Sequence, residues 1–191
     1  MNITTIKGNL FGGLQLLEEP ELDRNYKPHL KGIIYAYAHC IAEDGNWGAG
    51  IAPQFMDVFD CGWYVKRNLQ RFRAEHEGLP FIPWALVFPT GQIKYWRSNH
   101  EPLVLAHLIT KRYTYGKPTV KTMEASLDFF KYRMRKIIEL VGQWNSTECV
   151  VRIPKIGCGL DKLQWPDVEK TIQDVFYDTN FEFEVYDLKG K

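Results

Sequence analysis

Seven stretches of the chain concentrate β-branched and aromatic residues between polar punctuation: 2–6, 32–39, 82–88, 92–97, 103–110, 148–154 and 181–187. Several are apolar almost throughout instead of alternating, which predicts strands buried on both faces. Two further segments repeat apolar residues at helical spacing. In 119–141, Met123, Leu127, Phe130, Met134, Ile137, Ile138 and Val141 form one stripe, with Pro118 and Thr119 at the start and Gly142 as the stop. In 166–177, Val168, Ile172, Val175 and Phe176 form another; Pro166 suits the first turn and Asp167 complements the helix dipole. Both stripes predict core-facing helices. The stretch 61–82 mixes a short basic helix with a turn, and the acidic segment 18–25 reads as a surface excursion.

Strands interleaved with helices predict an α/β fold of three layers, α/β/α, around a mainly parallel or mixed central sheet. With 191 residues, 45% of them hydrophobic, the chain supports one well-buried core, so a single domain over 1–191 is expected.

Charge narrows the partners. Twenty-four basic residues balance 23 acidic ones, so no global field draws the chain onto nucleic acid or an anionic membrane, and any anion must be held locally. Basic residues do cluster at Lys111, Arg112, Lys117 and Lys121 and along Lys131, Arg133, Arg135 and Lys136. A solvated helix face is the first reading; contact with a nucleic-acid substrate is the alternative. Cys40, Cys61, Cys149 and Cys158 show no paired spacing, and the five histidines show no metal-ligand signature, so no metal or cofactor is expected. The first residues lack a long apolar run, and no stretch of about 18 apolar residues occurs. A soluble cytoplasmic monomer without membrane association is the expectation.

Two glycine-rich segments follow predicted strands. Gly48-Ala49-Gly50 leads into a helix start, and Gly157-Cys158-Gly159 follows the strand at 148–154. Glycines let a ligand approach the main chain, and backbone N–H groups converge on a phosphate at such turns. Ligands of open α/β sheets sit beyond the C-terminal ends of strands, so both loops are expected to flank one cleft. Lys111, ending the strand at 103–110, projects from the same edge. Nothing in the sequence positions Cys158 and His39 as a nucleophile and base, and Cys158 reads as a packing residue; His107 likewise reads as a core histidine.

These residues carry a resemblance. Lys7-Gly8-Asn9-Leu10-Phe11, Ala38-His39-Cys40-Ile41, Glu43-Asp44, Gly48-Ala49-Gly50-Ile51-Ala52, Leu108-Ile109-Thr110-Lys111 and Pro154-Lys155-Ile156-Gly157-Cys158-Gly159-Leu160-Asp161 follow one another in the order of a macrodomain. Within that superfamily the chain is most similar to the terminal ADP-ribose protein glycohydrolases. The resemblance implies a macrodomain fold with insertions near 13–32 and 60–100, and ADP-ribose in the cleft. It puts adenine near Asn9 and Leu10, and the pyrophosphate between the glycine loops. The ligand-binding positions it implies are these two, His39, Ile41, Ala42, Trp47, Gly48, Ala49, Gly50, Ile51 and Ala52 on one side. On the other they are Pro154, Ile156, Gly157, Cys158, Gly159 and Leu160. Lys111 is implied as the nucleophile at the distal ribose, and Asp161 as the residue needed for turnover. The substrate implied is ADP-ribose linked to a protein carboxylate or a small ester, with nucleic acid as a further carrier.

A free lysine is about 99.9% protonated at neutral pH, so a nucleophilic Lys111 must first lose its proton. Asp161 is therefore expected as an acid–base group at the ribose, not as a tight ion-pair partner of resting Lys111; a simple pair would favour a structural salt bridge instead. Three positions depart from the glycohydrolase pattern. Asn9 replaces an acid that accepts from the adenine amino group, Ala42 replaces a hydroxyl residue, and Trp47 is bulkier than usual. The run Gly45–Ala52 also resembles macrodomains that act as ADP-ribose 1''-phosphate phosphatases. Phosphatase activity is the second expectation, and an ADP-ribose reader without catalysis the third.

Overall fold

Period-2 alternation decides the layers even where a strand is apolar throughout. In the computed structural model, which describes residues 1–12, 14–16, 33–89, 96–98, 101–141 and 149–187, the order is β1 (Asn2–Lys7), β2 (Leu14–Leu16), β3 (Ile34–Ala42), α1 (Ala52–Phe59), α2 (Gly62–Glu75), β4 (Trp84–Pro89), β5 (Trp96–Ser98), β6 (Glu101–Lys111), α3 (Val120–Val141), β7 (Cys149–Pro154), α4 (Trp165–Phe176) and β8 (Phe181–Asp187). Parallel pairings join β1 to β8, β8 to β7, β7 to β3 and β3 to β6. β4 runs antiparallel to β6, β5 pairs antiparallel with the first residues of β6, and β2 pairs with β5. The sheet is mixed and lies in the middle of three layers.

Ile34, Ala36 and Ala38 of β3 and Val104, Ala106 and Leu108 of β6 turn toward one core, which α3 and α4 close. Met123, Leu127, Phe130 and Met134 come from α3, and Val168, Ile172, Val175 and Phe176 from α4. Tyr37 and Ile41, with Leu103, Leu105 and Ile109, turn toward the second core, which Phe55, Met56 and Phe59 of α1 and Val65 and Leu69 of α2 close. Each fully buried large aliphatic or aromatic side chain here contributes about 1.5–3 kcal/mol. Thr119 and Thr122 cap α3 reciprocally: the Thr122 backbone N–H donates to Thr119 Oγ1 at 3.2 Å and the Thr119 N–H donates to Thr122 Oγ1 at 2.9 Å.

α2 is longer than the short basic helix expected within 61–82. Its core stripe is narrow, Val65 and Leu69 with Phe72 packed alongside, and it is hidden in a sequence otherwise rich in Lys, Arg and Gln. Inside the second expected insertion, α2 and β4 place Val65, Leu69, Trp84, Ala85, Val87 and Phe88 in the two cores. The acidic excursion 18–25, most of the 13–32 insertion, residues 92–95 of an expected strand, and Gly142 lie outside the described residues. Among the described residues no helix is long and apolar enough to cross a membrane.

Candidate active site

The parallel strands β3, β6, β7 and β8 all deliver their C-terminal ends to one edge of the sheet, where the backbone must leave the ladder. A cleft of about 410 Å³ opens there, within the range of small-molecule sites. Cys40, Ile41 and Ala42 line it from β3, Lys111 from β6, Pro154 from β7, and Tyr186 and Asp187 from β8. The first glycine loop contributes Asn46, Trp47, Ala49, Gly50 and Ile51, and α1 adds Ala52 and Gln54 from its first turn. That helix end carries no side-chain cap, and its first turn lines the cleft, which puts the positive end of the helix dipole there. The second loop contributes Lys155 through Asp161.

The two loops oppose each other across this opening. A Cβ built on Gly50 would meet Leu160 Cδ1 at 3.8 Å, so the side chain of Leu160 reaches the opposite lip. Gly157 is favoured by its backbone, with φ at +71°; a Cβ would also lie 2.9 Å from Leu163 Cδ1 and Met123 Cε, side-chain ends that would have to shift. The turn after β6 ties both lips together. Asp44 accepts the Thr114 backbone N–H at 2.8 Å, the Thr114 hydroxyl at 2.8 Å and the Asn46 N–H at 3.1 Å. Lys117 Nζ donates to the Leu160 carbonyl at 2.7 Å. Trp47 wedges its ring between Gly45 and Gly62 at the back of the first lip.

Lys111 and Asp161 meet in this cleft. Lys111 Nζ lies 2.5 Å from Asp161 Oδ1, and both side chains are almost buried, at 14% and 13% exposure. This corrects the expectation that the resting pair stays apart. Both residues occupy the cleft wall, where opposite charges in a poorly hydrated site close to contact. The contact favours the ammonium form, which is what a structural salt bridge gives; a nucleophilic Lys111 requires a ligand that parts the pair. Cys40, beside the pair, has its thiol pushed well above the ordinary range, by burial first and then by the Asp161 charge, so it is a neutral wall residue.

Other expected positions fall elsewhere. His39 is fully buried, stacks on Phe55 at 3.9 Å and shares a 2.7 Å hydrogen bond between its Nε2 and His107 Nδ1. It therefore sits in the core beneath the cleft, on the α1 face of the sheet, whereas Cys158 packs against the α3 face and its thiol donates to the Ile156 carbonyl at 3.3 Å. The sheet separates the two. Leu10 is buried in the second core. Asn9 and Gly48 are exposed and do not line the cleft, and Asn9 Oδ1 accepts the Phe11 N–H at 3.1 Å. Asn46, Gln54, Thr114, Lys117, Lys155, Tyr186 and Asp187 line the cleft without having been singled out for it. For Tyr186 and Asp187 a signal existed: they end the strand at 181–187, on the edge where ligands bind. Among the described residues no group of three or more His, Cys, Asp or Glu side chains is arranged to hold a metal ion.

The basic cluster is largely spoken for. Lys131 and Arg135 pair with Asp178, Lys136 pairs with Glu139, and Arg112 pairs with Glu43.

No protein-family model matches the chain. Among solved structures, the macrodomain of Thermus aquaticus DarG superposes with a TM-score of 0.61 over 97% of each chain, at 19% identity, which speaks to fold alone. ADP-ribose glycohydrolase OARD1 of Homo sapiens is 32% identical over 179 residues, covering 91% of this chain and 97% of that protein. The chain belongs to the macrodomain family. A third relative, the ADP-ribose 1''-phosphate phosphatase of Debaryomyces hansenii, is 24% identical over 183 residues, 89% of this macrodomain and 92% of that protein. Relatives with both activities therefore align along nearly the whole of this macrodomain.

Proposed function

We propose that this macrodomain is an ADP-ribosyl hydrolase that releases ADP-ribose from carboxylate esters, carried by proteins or by small acyl groups. Lys111 acts as nucleophile and Asp161 as an acid–base group at the ribose. The observation that carries this reading is that Lys111 and Asp161, from the end of β6 and from the second glycine loop, both line the cleft that the two glycine loops flank. The likeness to an ADP-ribose glycohydrolase over 91% of the chain supports the ligand and the reaction class.

In the proposed sequence the distal ribose enters between Lys111 and Asp161, parting them, and the desolvated Lys111 loses its proton to solvent. The freed amine lone pair then forms a bond to the anomeric carbon, while the acyl carboxylate leaves with the electrons of the broken C–O bond. Asp161 then takes a proton from a water whose oxygen bonds to the anomeric carbon as the C–N bond breaks with its electrons returning to nitrogen, so that ADP-ribose leaves and the amine is restored. Intact-mass spectra of Asp161→Ala with an ADP-ribosyl ester substrate should show a covalent adduct that Lys111→Ala cannot form. Unimpaired turnover by Lys111→Ala, with no adduct in either variant, overturns the reading.

A second reading has its own support. The Gly45–Ala52 run and the phosphatase relative favour removal of the terminal phosphate from ADP-ribose 1''-phosphate, with Asp161 orienting water and Lys111 serving as charge. Phosphate release from that substrate, without ester cleavage, would establish it in place of the first.

A further inference from the structure

We infer that Lys117 is a further catalytic residue, whose ammonium receives the carboxylate that departs from the distal ribose. The inference rests on the ester-hydrolase reading above and concerns what the same site does for the leaving group.

The path of the chain brings Lys117 to the reacting groups. After β6 the backbone turns, the Gly116 N–H donating to the Tyr113 carbonyl at 2.9 Å. A Cβ built on Gly116 would meet Lys111 Cβ at 3.9 Å, so this turn folds back onto Lys111. The next residue, Lys117, donates from Nζ to the Leu160 carbonyl at 2.7 Å, one residue before Asp161. Its stem thus starts beside Lys111 and its ammonium ends on the neighbour of Asp161. Depth matters too. Lys111 and Asp161 are almost buried, whereas Lys117 and Leu160 line the cleft and are exposed, which puts them at its rim. An ester carried by a protein has its carrier in solvent, so the acyl group must run from the anomeric carbon out past that rim.

Charge singles Lys117 out. Lysines 111, 117 and 155 line the cleft, and two of them lie against carboxylates, Lys111 on Asp161 and Lys155 on Asp187. Lys117 forms no ion pair among the described residues, and its anchor at Leu160 is a neutral carbonyl. An ammonium has three donors, of which that carbonyl takes one. As the C–O bond breaks, its electrons gather on the departing carboxylate, and a charge-assisted hydrogen bond from Lys117 meets them. The proton stays on nitrogen, because a carboxylate is a far weaker base than an alkylamine. The intact ester carries no such charge, so the interaction strengthens only toward the transition state and speeds the reaction without tightening binding.

Single-turnover release of a peptide from an ADP-ribose ester on its glutamate, followed at rising enzyme concentration, tests this. Lys117→Gln keeps an N–H donor at an exposed position and removes only the charge. It should slow the maximal release rate about tenfold or more, with the half-saturating enzyme concentration changed less than about twofold. Lys117→Arg restores the charge and should release the peptide within about threefold of the wild-type rate. A purely structural bond to Leu160 predicts the opposite split, a shifted half-saturation with the maximal rate kept. That split, a wild-type rate in Lys117→Gln, or a Lys117→Arg as slow as Lys117→Gln overturns the inference while the ester-hydrolase reading stands on release by the wild type. No release by the wild type overturns that reading itself.

Discussion

The buried histidine pair shows how a single residue type acquires different meanings from its surroundings. His39 and His107 share a hydrogen bond in the second core, stacked on Phe55 and Phe88, and their remaining ring nitrogens find no partner among the described residues. Protonation there would leave a charge without compensation. Burial accordingly holds both rings well below the ordinary histidine range, His107 at about 3, and the neighbouring ring lowers His39 further. Below about pH 6.5 the unfolded chain takes up protons on both rings while the folded chain does not. Stability that is fully present above pH 6.5 is thus lost as pH falls toward the folded values, by about 1.4 kcal/mol per pH unit and per histidine. Urea midpoints measured between pH 7.5 and 5 should fall steeply for the wild type and about half as steeply for His107→Gln. Equal slopes would mean that the pair does not govern the acid limb. That His107 belongs to the core was legible from its apolar strand. His39 was not separable from its cleft-lining neighbours by sequence, because Cys40 and Ile41, which follow it, do line the cleft, while His39 sits one step further back along the strand with its ring stacked on Phe55 in the core.

At the scale of elements, most strands and the helices α3 and α4 were readable because their apolar residues recur regularly, whereas the three-residue β2 was too short to show a pattern. The turn between β6 and α3 was not readable either, since its role comes from contacts far away in the chain. Asp44 grips Thr114 across 70 positions, and Lys117 grips Leu160 across 43. This strap holds the glycine lips at a set spacing, and Asp44 itself lies off the cleft wall. Asp44→Ala removes three hydrogen bonds, each worth about 0.5–1.5 kcal/mol net. We expect KM for the ester substrate to rise about tenfold with kcat changed less than about threefold, and Asp44→Asn to recover part of the loss. Steady-state kinetics on the three proteins checks this, and an unchanged KM in Asp44→Ala would show that the lips keep their spacing without the strap.

For the whole molecule, the cleft is a property of the sheet edge, so occupancy should be felt by the entire fold. Ligand at a hundred times its Kd stabilises a protein by about 2.7 kcal/mol, which for a chain of this size raises Tm by roughly 5–10 °C. Scanning calorimetry with ADP-ribose should show that rise, and no rise at millimolar ligand would count against the cleft as its site. By itself the sequence determined the layered α/β class, the glycine loops, and the pair Lys111 and Asp161 as candidates. Those features are carried by local periodicity, by backbone freedom at glycine and by ordered motif blocks. Only tertiary structure decided that Lys111 and Asp161, fifty residues apart, touch at rest, that His39 turns into the core, and that Asp187 joins the cleft. The reason is physical: strand order and pleat direction, which bring distant residues to one edge and choose the face each presents, are set by pairings between segments that no local pattern records.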